Sequence, residues 1–295
     1  MAIIFALCSA VAYGLSDFVG GLLSRRTSAW SVAVVAQLSA AACTTVIAIL
    51  VMGSPTTEDF VWAILAGTAS GVGAGFLYRG LASGQMSVVA PVSAVGAALV
   101  PALAGTLSGE RPSVVMWLGV VCALPGIWLV SDSPDEPSGE RRTDDPALRT
   151  AAPSGRRAPL SAGVVDGVLA GLGFGVLFAA LGQIPERAGL WPLATAQAMS
   201  VPAVILLAAG LRATWRPRGR TVWWALLAGP LGAAATGAFL LASQSGFLTI
   251  AGVLASLYPA TTIILAALLL HERLHRAQGV GLALCGLAIV LVASG

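Results

Sequence analysis

An all-α polytopic membrane protein is expected from this sequence, with ten transmembrane helices arranged as two inverted five-helix repeats. Three observations carry the expectation. Hydrophobic residues make up 57% of the chain and charged residues only 10%, with a mean hydropathy of +0.88, whereas a soluble domain carries about 25% charged residues. The apolar residues fall into runs of about 20, the length that crosses a bilayer's hydrocarbon core. The last two runs repeat an earlier part of the chain at a fixed offset.

The offset is plainest over 248–292, two apolar segments joined by a polar link from His271 to Arg276. At 1.5 Å rise per residue the first segment, Leu248–Leu270, is just over 30 Å long. Shifted by 162 positions, the same pattern occupies Met86–Ser131. Glu110 and Arg111 fall on Glu272 and Arg273, Gly84 on Gly246, Gly119 on Gly281, and Leu107 on Leu269. Charge is scarce in this chain, so the Glu-Arg coincidence weighs more than the Ala and Leu matches. A shift of 161 aligns the earlier spans: Tyr13 and Gly14 fall on Phe174 and Gly175, Trp30 on Trp191, and Gln37 near Gln197.

In chain order the expected spans are roughly 2–23, 30–53, 60–80, 86–107, 113–131, 161–182, 190–211, 221–242, 248–270 and 276–293. The first starts without a basic leader and is long enough to span, so it serves as both insertion signal and first helix. Arg25 and Arg26 close it, Ser54 and Pro55 follow the second, and Arg79 ends the third. Residues 132–160 are polar, charged and Pro-rich, and bury too little apolar surface to fold alone. They are expected to form a flexible linker between a first unit at 1–131 and a second at 161–295. Five spans on each side make the second unit enter the membrane in the opposite sense, so duplicated halves become inverted repeats.

All sixteen basic residues are Arg, and fourteen lie in loops after the odd-numbered spans; only Arg111 and Arg187 lie on the other side. By the positive-inside rule both termini are expected outside the cytoplasm. The net charge of +3 therefore reflects topology and gives no reason to expect a nucleic-acid partner. Cys8, Cys43, Cys122 and Cys285 are single thiols in apolar runs, as small core residues are. No phosphate-binding loop, hydrolytic triad or metal-ligand cluster is visible, so neither cofactor nor metal is expected; His271 and His275 beside Glu272 lack a third ligand.

A few polar residues at span depth could carry chemistry. Asp17 is the one acid well inside the first span. Ionisable groups there usually face the bundle interior or an aqueous cavity. It reads either as an ion-pair partner of Arg79, since spans 1 and 3 end on the same side, or as a site for a cation, amine or proton. Asp166, five residues into the sixth span, is expected at the interface. Glu110 and Glu272 are expected to pair locally with Arg and cap the next helix. Gln37, Gln197 and Gln244 either glue helices together or line a cavity. Tyr13, Tyr78 and Tyr258 are candidates for a solute site. Pro91, Pro101, Pro202 and Pro259 are candidates for helix kinks, which free backbone carbonyls one turn back. Trp30, Trp62, Trp191, Trp223 and Trp224 open spans as aromatic-belt anchors. Gly67, Gly71 and Gly75 form a small-residue face for close helix approach.

These residues resemble those of the EamA-type carriers of the drug/metabolite transporter superfamily, in a bacterial branch. The resemblance lies in Ala255 through Pro259 followed by His271, Glu272 and Arg273, in Gln278 and Gly281, in Tyr13, Gly14, Asp17 and Phe18, and in Tyr78, Arg79, Val89, Ala90 and Pro91. It covers nearly everything but the linker. It departs at Ala97, where such repeats commonly carry Pro, and at His271, where Gly is common. The resemblance implies ten helices in two repeats and a cavity lined by spans 1–4 and 6–9, with spans 5 and 10 as supports. It also implies cytoplasmic termini, opposite to the arginine count.

The function expected is a secondary transporter of the inner (plasma) membrane. It would move a small metabolite, amino-acid-like or drug-like, by alternating access, with efflux the expected direction. The alternatives are a channel, a non-transporting assembly subunit and, with too few ionisable groups for it, a membrane-embedded enzyme. The expected partners are the lipid bilayer, a small-molecule solute and, in a coupled carrier, protons; the protein would be a monomer or homodimer.

Overall fold

A computed structural model describes residues 1–51, 53–83, 86–131, 160–269 and 275–294. Within them the chain is helical and contains no strand. The first half gives α1 (Ala2–Ser24), α2 (Ala29–Leu50), α3 (Thr57–Ala82), α4 (Met86–Leu107) and α5 (Val114–Ser131). The second gives α6 (Leu160–Leu181), α7 (Trp191–Gly210) and α8 (Ala228–Ser245), the last entered through a 3₁₀ segment at Thr221–Leu227. The ninth span is broken into α9 (Leu248–Ala255) and α10 (Tyr258–Leu269), and α11 (Arg276–Ser294) follows. Among the described residues, nine helical stretches are long and apolar enough to cross a membrane, and α5 contributes a shorter one at Val114–Val130. The linker expected over 132–160 lies outside the described residues apart from Leu160, as do His271, Glu272 and Arg273.

Local chemistry sets several boundaries. Thr56 opens α3 with a capping box: its amide and its hydroxyl both donate to Asp59 Oδ2, at 2.7 and 2.9 Å. Pro192 opens α7, where its missing N–H costs no helical bond. The interruption of the ninth span falls just before Pro259, which has no N–H to continue the ladder. There Ser256 Oγ donates to the Val253 carbonyl at 2.7 Å. The helices α4 and α7 run through Pro91, Pro101 and Pro202 without a break, and α5 likewise through Pro125.

Helix packing is symmetric under exchange of the halves. The first half's α3 packs on α6 and α7, as α8 packs on α1 and α2. The contact of α4 with α6 is matched by that of α9 and α10 with α1, while α2 with α7, α4 with α9 and α5 with α11 are self-matching pairs. Single glycines repeat the relation. A Cβ at Gly14 would lie 2.8 Å from the Tyr258 carbonyl oxygen, and one at Gly175 would lie 2.8 Å from that of Gly96. These are equivalent positions at the offsets found in the sequence. A Cβ at Gly119 would meet the Ala288 carbonyl at 3.0 Å, and one at Gly281 would meet that of Gly126 at 2.9 Å.

Small residues hold the bundle together, because in lipid the backbones must approach closely enough for dispersion contact. Gly67 and Gly71 of α3 face the Ala196 and Ser200 backbone of α7, with no room for a Cβ. Gly75, the third glycine of that run, meets the Trp30 ring instead. Trp30 is thus no belt anchor: it is buried, edge-on to Phe76 at 6.1 Å. Trp191, Trp223 and Trp224 are exposed at span starts. Large aliphatic side chains such as Leu50, Leu107, Leu206 and Leu268 point outward, as they do where the surrounding solvent is lipid.

Candidate functional site

A polar chamber lies between the halves. It is lined by Tyr13, Ser16 and Asp17 of α1, Gln37 of α2, Ser70, Ala74 and Tyr78 of α3, Phe174 of α6, Gln197 of α7, and Gly232 and Thr236 of α8. The cavity has a volume of about 40 Å³. A second lobe of about 30 Å³ shares Ser16, Gln37, Ala74, Tyr78 and Gly232 with it and continues between α2 and α8. Space of this size holds a few waters. A larger groove of about 450 Å³ lies among the loops on the arginine-rich side, lined by Ser28, Ser31, Trp215, Arg216, Arg218 and their neighbours, and none of the predicted residues borders it.

Five of the predicted residues, Tyr13, Asp17, Gln37, Tyr78 and Gln197, therefore share one chamber. The two glutamines play equivalent parts in the two halves. Gln37 Nε2 donates to Ser70 Oγ at 3.2 Å, and Gln197 Nε2 donates to Thr236 Oγ1 at 2.7 Å. The Thr236 hydroxyl itself donates to the Gly232 carbonyl at 2.7 Å. Gln244, by contrast, ties α8 to the loop carbonyl of Ile184 at 3.1 Å. Among the described residues, Tyr13 Oη is the fully buried side-chain N or O atom that lacks a hydrogen-bond partner. Asp17 makes neither a hydrogen bond nor an ion pair with any described residue.

The symmetry of the fold stops at this chamber. Phe178 occupies the position equivalent to Asp17. It is fully buried, stacks on Phe239 at 4.2 Å and meets Tyr13 edge-on at 5.6 Å. One side of the pseudo-two-fold axis is thus filled by aromatic rings and the other left open around a carboxylate.

Two predicted residues stand elsewhere. Tyr258 is buried behind Tyr13, at 6.4 Å between rings, and its hydroxyl lies 2.8 Å from Ser93 Oγ on α4. Arg79 does not pair with Asp17. Its Nε donates to both carboxylate oxygens of Asp166 at 3.1 Å, and its Nη2 bonds Oδ1. Successive helical residues point about 100° apart. Tyr78 packs on Gly20 of α1, so its neighbour Arg79 is turned to α6, where its guanidinium also covers the Phe76 ring at 4.6 Å. Asp166 is accordingly not an interfacial acid: it is buried and binds the two halves together.

Glu110 also departs from expectation. Gly109, with a φ of +93° that suits a residue lacking a Cβ, turns the chain after α4. The Glu110 carboxylate then reaches the other half, accepting from the Leu248 and Thr249 amides at 2.5 and 2.9 Å. It caps α9 rather than the helix that follows it, and an anion at a helix N-terminus is favoured by the unpaired amides there. Arg187 on the same side donates to the buried Asp59 at 3.1 Å, joining the loop after α6 to the start of α3.

Ser16, Ser70, Thr236, Ala74 and Gly232 also line the chamber and are not among the residues expected from the sequence. Ser70 and Thr236 could have been found as hydroxyls at the depth of the two glutamines, since a buried amide needs a partner. The open positions Ala74 and Gly232 leave no mark in a chain rich in both. Among the described residues no three His, Cys, Asp or Glu side chains come together as a metal site.

The model of the EamA-like transporter family matches residues 1–132 and 161–294, once in each half. No curated protein matches the chain. Fifteen chains of solved structures are similar. One, a crystal structure of a protein, superposes with a TM-score of 0.72 at 14% identity, covering 99% of this chain and 96% of that one. At that identity the likeness is one of fold.

Proposed function

We infer the function from one premise: this chain belongs to the EamA-like transporter family of the drug/metabolite transporter superfamily, and is a multi-pass membrane transporter. We propose that it is a secondary carrier of a small solute working by alternating access, with the chamber between α1–α3 and α6–α8 as the solute site. The observation that carries the proposal is the chamber itself. It sits within a membrane-embedded bundle, draws its walls from both repeats, and gathers polar groups that a purely structural core would have replaced by apolar ones.

Its narrowness supports movement. A metabolite larger than a few waters enters only if the halves part. They are joined by polar contacts at both ends: Arg79 with Asp166 on the arginine-rich side, and Glu110 with the start of α9 on the other. Releasing one set while keeping the other opens the chamber to one side at a time. On the arginine count the side of Arg79 and Asp166 is cytoplasmic.

Reconstitution into liposomes tests this. A carrier shows saturable flux that is stimulated by the same solute on the far side. Ohmic current that does not saturate would identify a channel instead and overturn the proposal.

A further inference from the structure

We propose that the solute is a small protonated amine, held as a monocation against Asp17, rather than a zwitterion or an anion; this rests on the carrier reading above and narrows it. The argument is a census of what the chamber leaves unused. Thr236 donates its one hydroxyl hydrogen to the Gly232 carbonyl, so toward Gln197 it can only accept. That fixes Gln197 Nε2 as the donor and leaves Oε1 as an acceptor that no described residue occupies. Gln37 likewise spends one Nε2 hydrogen on Ser70 and keeps Oε1, and each of the two amides retains a second N–H. Ser16 spends its hydrogen on the Ala228 carbonyl at 3.1 Å. Asp17 adds carboxylate oxygens without a partner. The chamber thus offers acceptors and neutral donors around one carboxylate, and the group left without a counter-charge among the described residues is Asp17.

Charge agrees with the hydrogen bonds. Asp17 is the one acidic side chain among the chamber's lining residues, and none of them is basic. Arg79, the cation that could have received a solute carboxylate, is committed to Asp166 on the far side of α3. An amino-acid zwitterion would thus find no cation for its carboxylate, and an anion would face Asp17 directly. The remaining walls are the rings of Tyr13, Tyr78 and Phe174, whose faces attract a cation. Tyr13 Oη, buried and unpartnered, adds a hydroxyl beside Asp17 on α1 that can accept from an ammonium group.

The test is trans-stimulated flux in proteoliposomes with four size-matched panels: primary monoamines such as ethylamine and ethanolamine, zwitterionic amino acids, monocarboxylates, and neutral polyols. The proposal expects flux of at least one monoamine and of no member of the zwitterion or anion panels. Asp17→Asn should lower monoamine flux by roughly a hundredfold, the usual cost of removing one partner of a buried charge pair. Gln197→Leu, which keeps the charge, should lower it by about tenfold. Both variants are compared with wild type for monodispersity and thermal midpoint, so that loss of fold is not taken for loss of site. Flux of amino acids, carboxylates or polyols without amines would overturn the amine assignment and leave the carrier reading standing. Monoamine flux unchanged in a folded Asp17→Asn protein would overturn it as well. Absence of flux in all four panels would overturn both.

Discussion

Arg79 of α3 and Asp166 of α6 join the two repeats through a two-pronged contact in which the guanidinium grips both carboxylate oxygens. Asp166 is buried, whereas Arg79 remains 37% exposed. The equivalent positions in the other pairing are Leu241 and Phe5, so the contact has no symmetric counterpart. Removing the cation strands a buried carboxylate. Arg79→Leu is expected to lower the stability of the purified protein by about 3 kcal/mol. The double variant Arg79→Leu with Asp166→Asn should recover part of that loss, because no uncompensated charge remains. Thermal unfolding of the four proteins measures the coupling, and strictly additive losses would refute it.

Glu110 satisfies two amides at the start of α9 from the opposite half. Glu110→Ala leaves both amides without that partner and should cost about 2 kcal/mol. Glu110→Gln keeps one acceptor oxygen and loses the charge, and should cost about half as much. The ranking Ala below Gln below wild type in thermal midpoint is the readout. Equal midpoints would mean that water replaces the carboxylate at no cost.

The glycines of α3 test the packing. At Gly71 a Cβ would stand 2.5 Å from the Ser200 carbonyl oxygen, and a backbone cannot yield as a side-chain tip can. Gly71→Val should therefore abolish the folded, monodisperse protein. At Gly210 and Gly286 a Cβ would meet nothing within 4 Å, so Ala there should change stability by less than about 1 kcal/mol and in the stabilising direction within a helix. Size-exclusion profiles of the three variants decide it, and a well-behaved Gly71→Val protein would show that α3 and α7 are farther apart than described.

Orientation is open to a direct check. The loop from Arg212 to Arg220 carries four of the sixteen arginines, and the positive-inside rule assigns it to the cytoplasm. A phosphatase reporter inserted there should be silent and one inserted after Pro185 active. The reverse pattern would invert the sides given to the Arg79 and Glu110 contacts.

Much of this molecule was legible in its sequence because the bilayer reduces the choices: long apolar runs must be helices, and a duplicated half with an odd number of spans must be inverted. Five chamber residues were legible because polar atoms at span depth are costly and so are conspicuous. What escaped was rotational. Arg79 and Tyr78 are neighbours in sequence, and no periodicity shows which faces α1 and which faces α6. The helices are apolar all round, so no polar stripe fixes their azimuth. The reach of Glu110 to α9 escaped for a related reason, since a contact between halves leaves no local pattern. Trp30 opens a span, as the exposed Trp191 does, and nothing in the sequence shows that its ring turns inward onto Gly75 and Phe76.

The central claim is that solute passes through the space between α3, α1 and α8, and a plug at Ala74 tests it most directly. Ala74 borders both lobes of the chamber. Ala74→Trp adds a ring larger than the remaining space, and the account predicts that trans-stimulated flux disappears while the protein remains folded in the bilayer. Wild-type flux through a folded Ala74→Trp protein would contradict it.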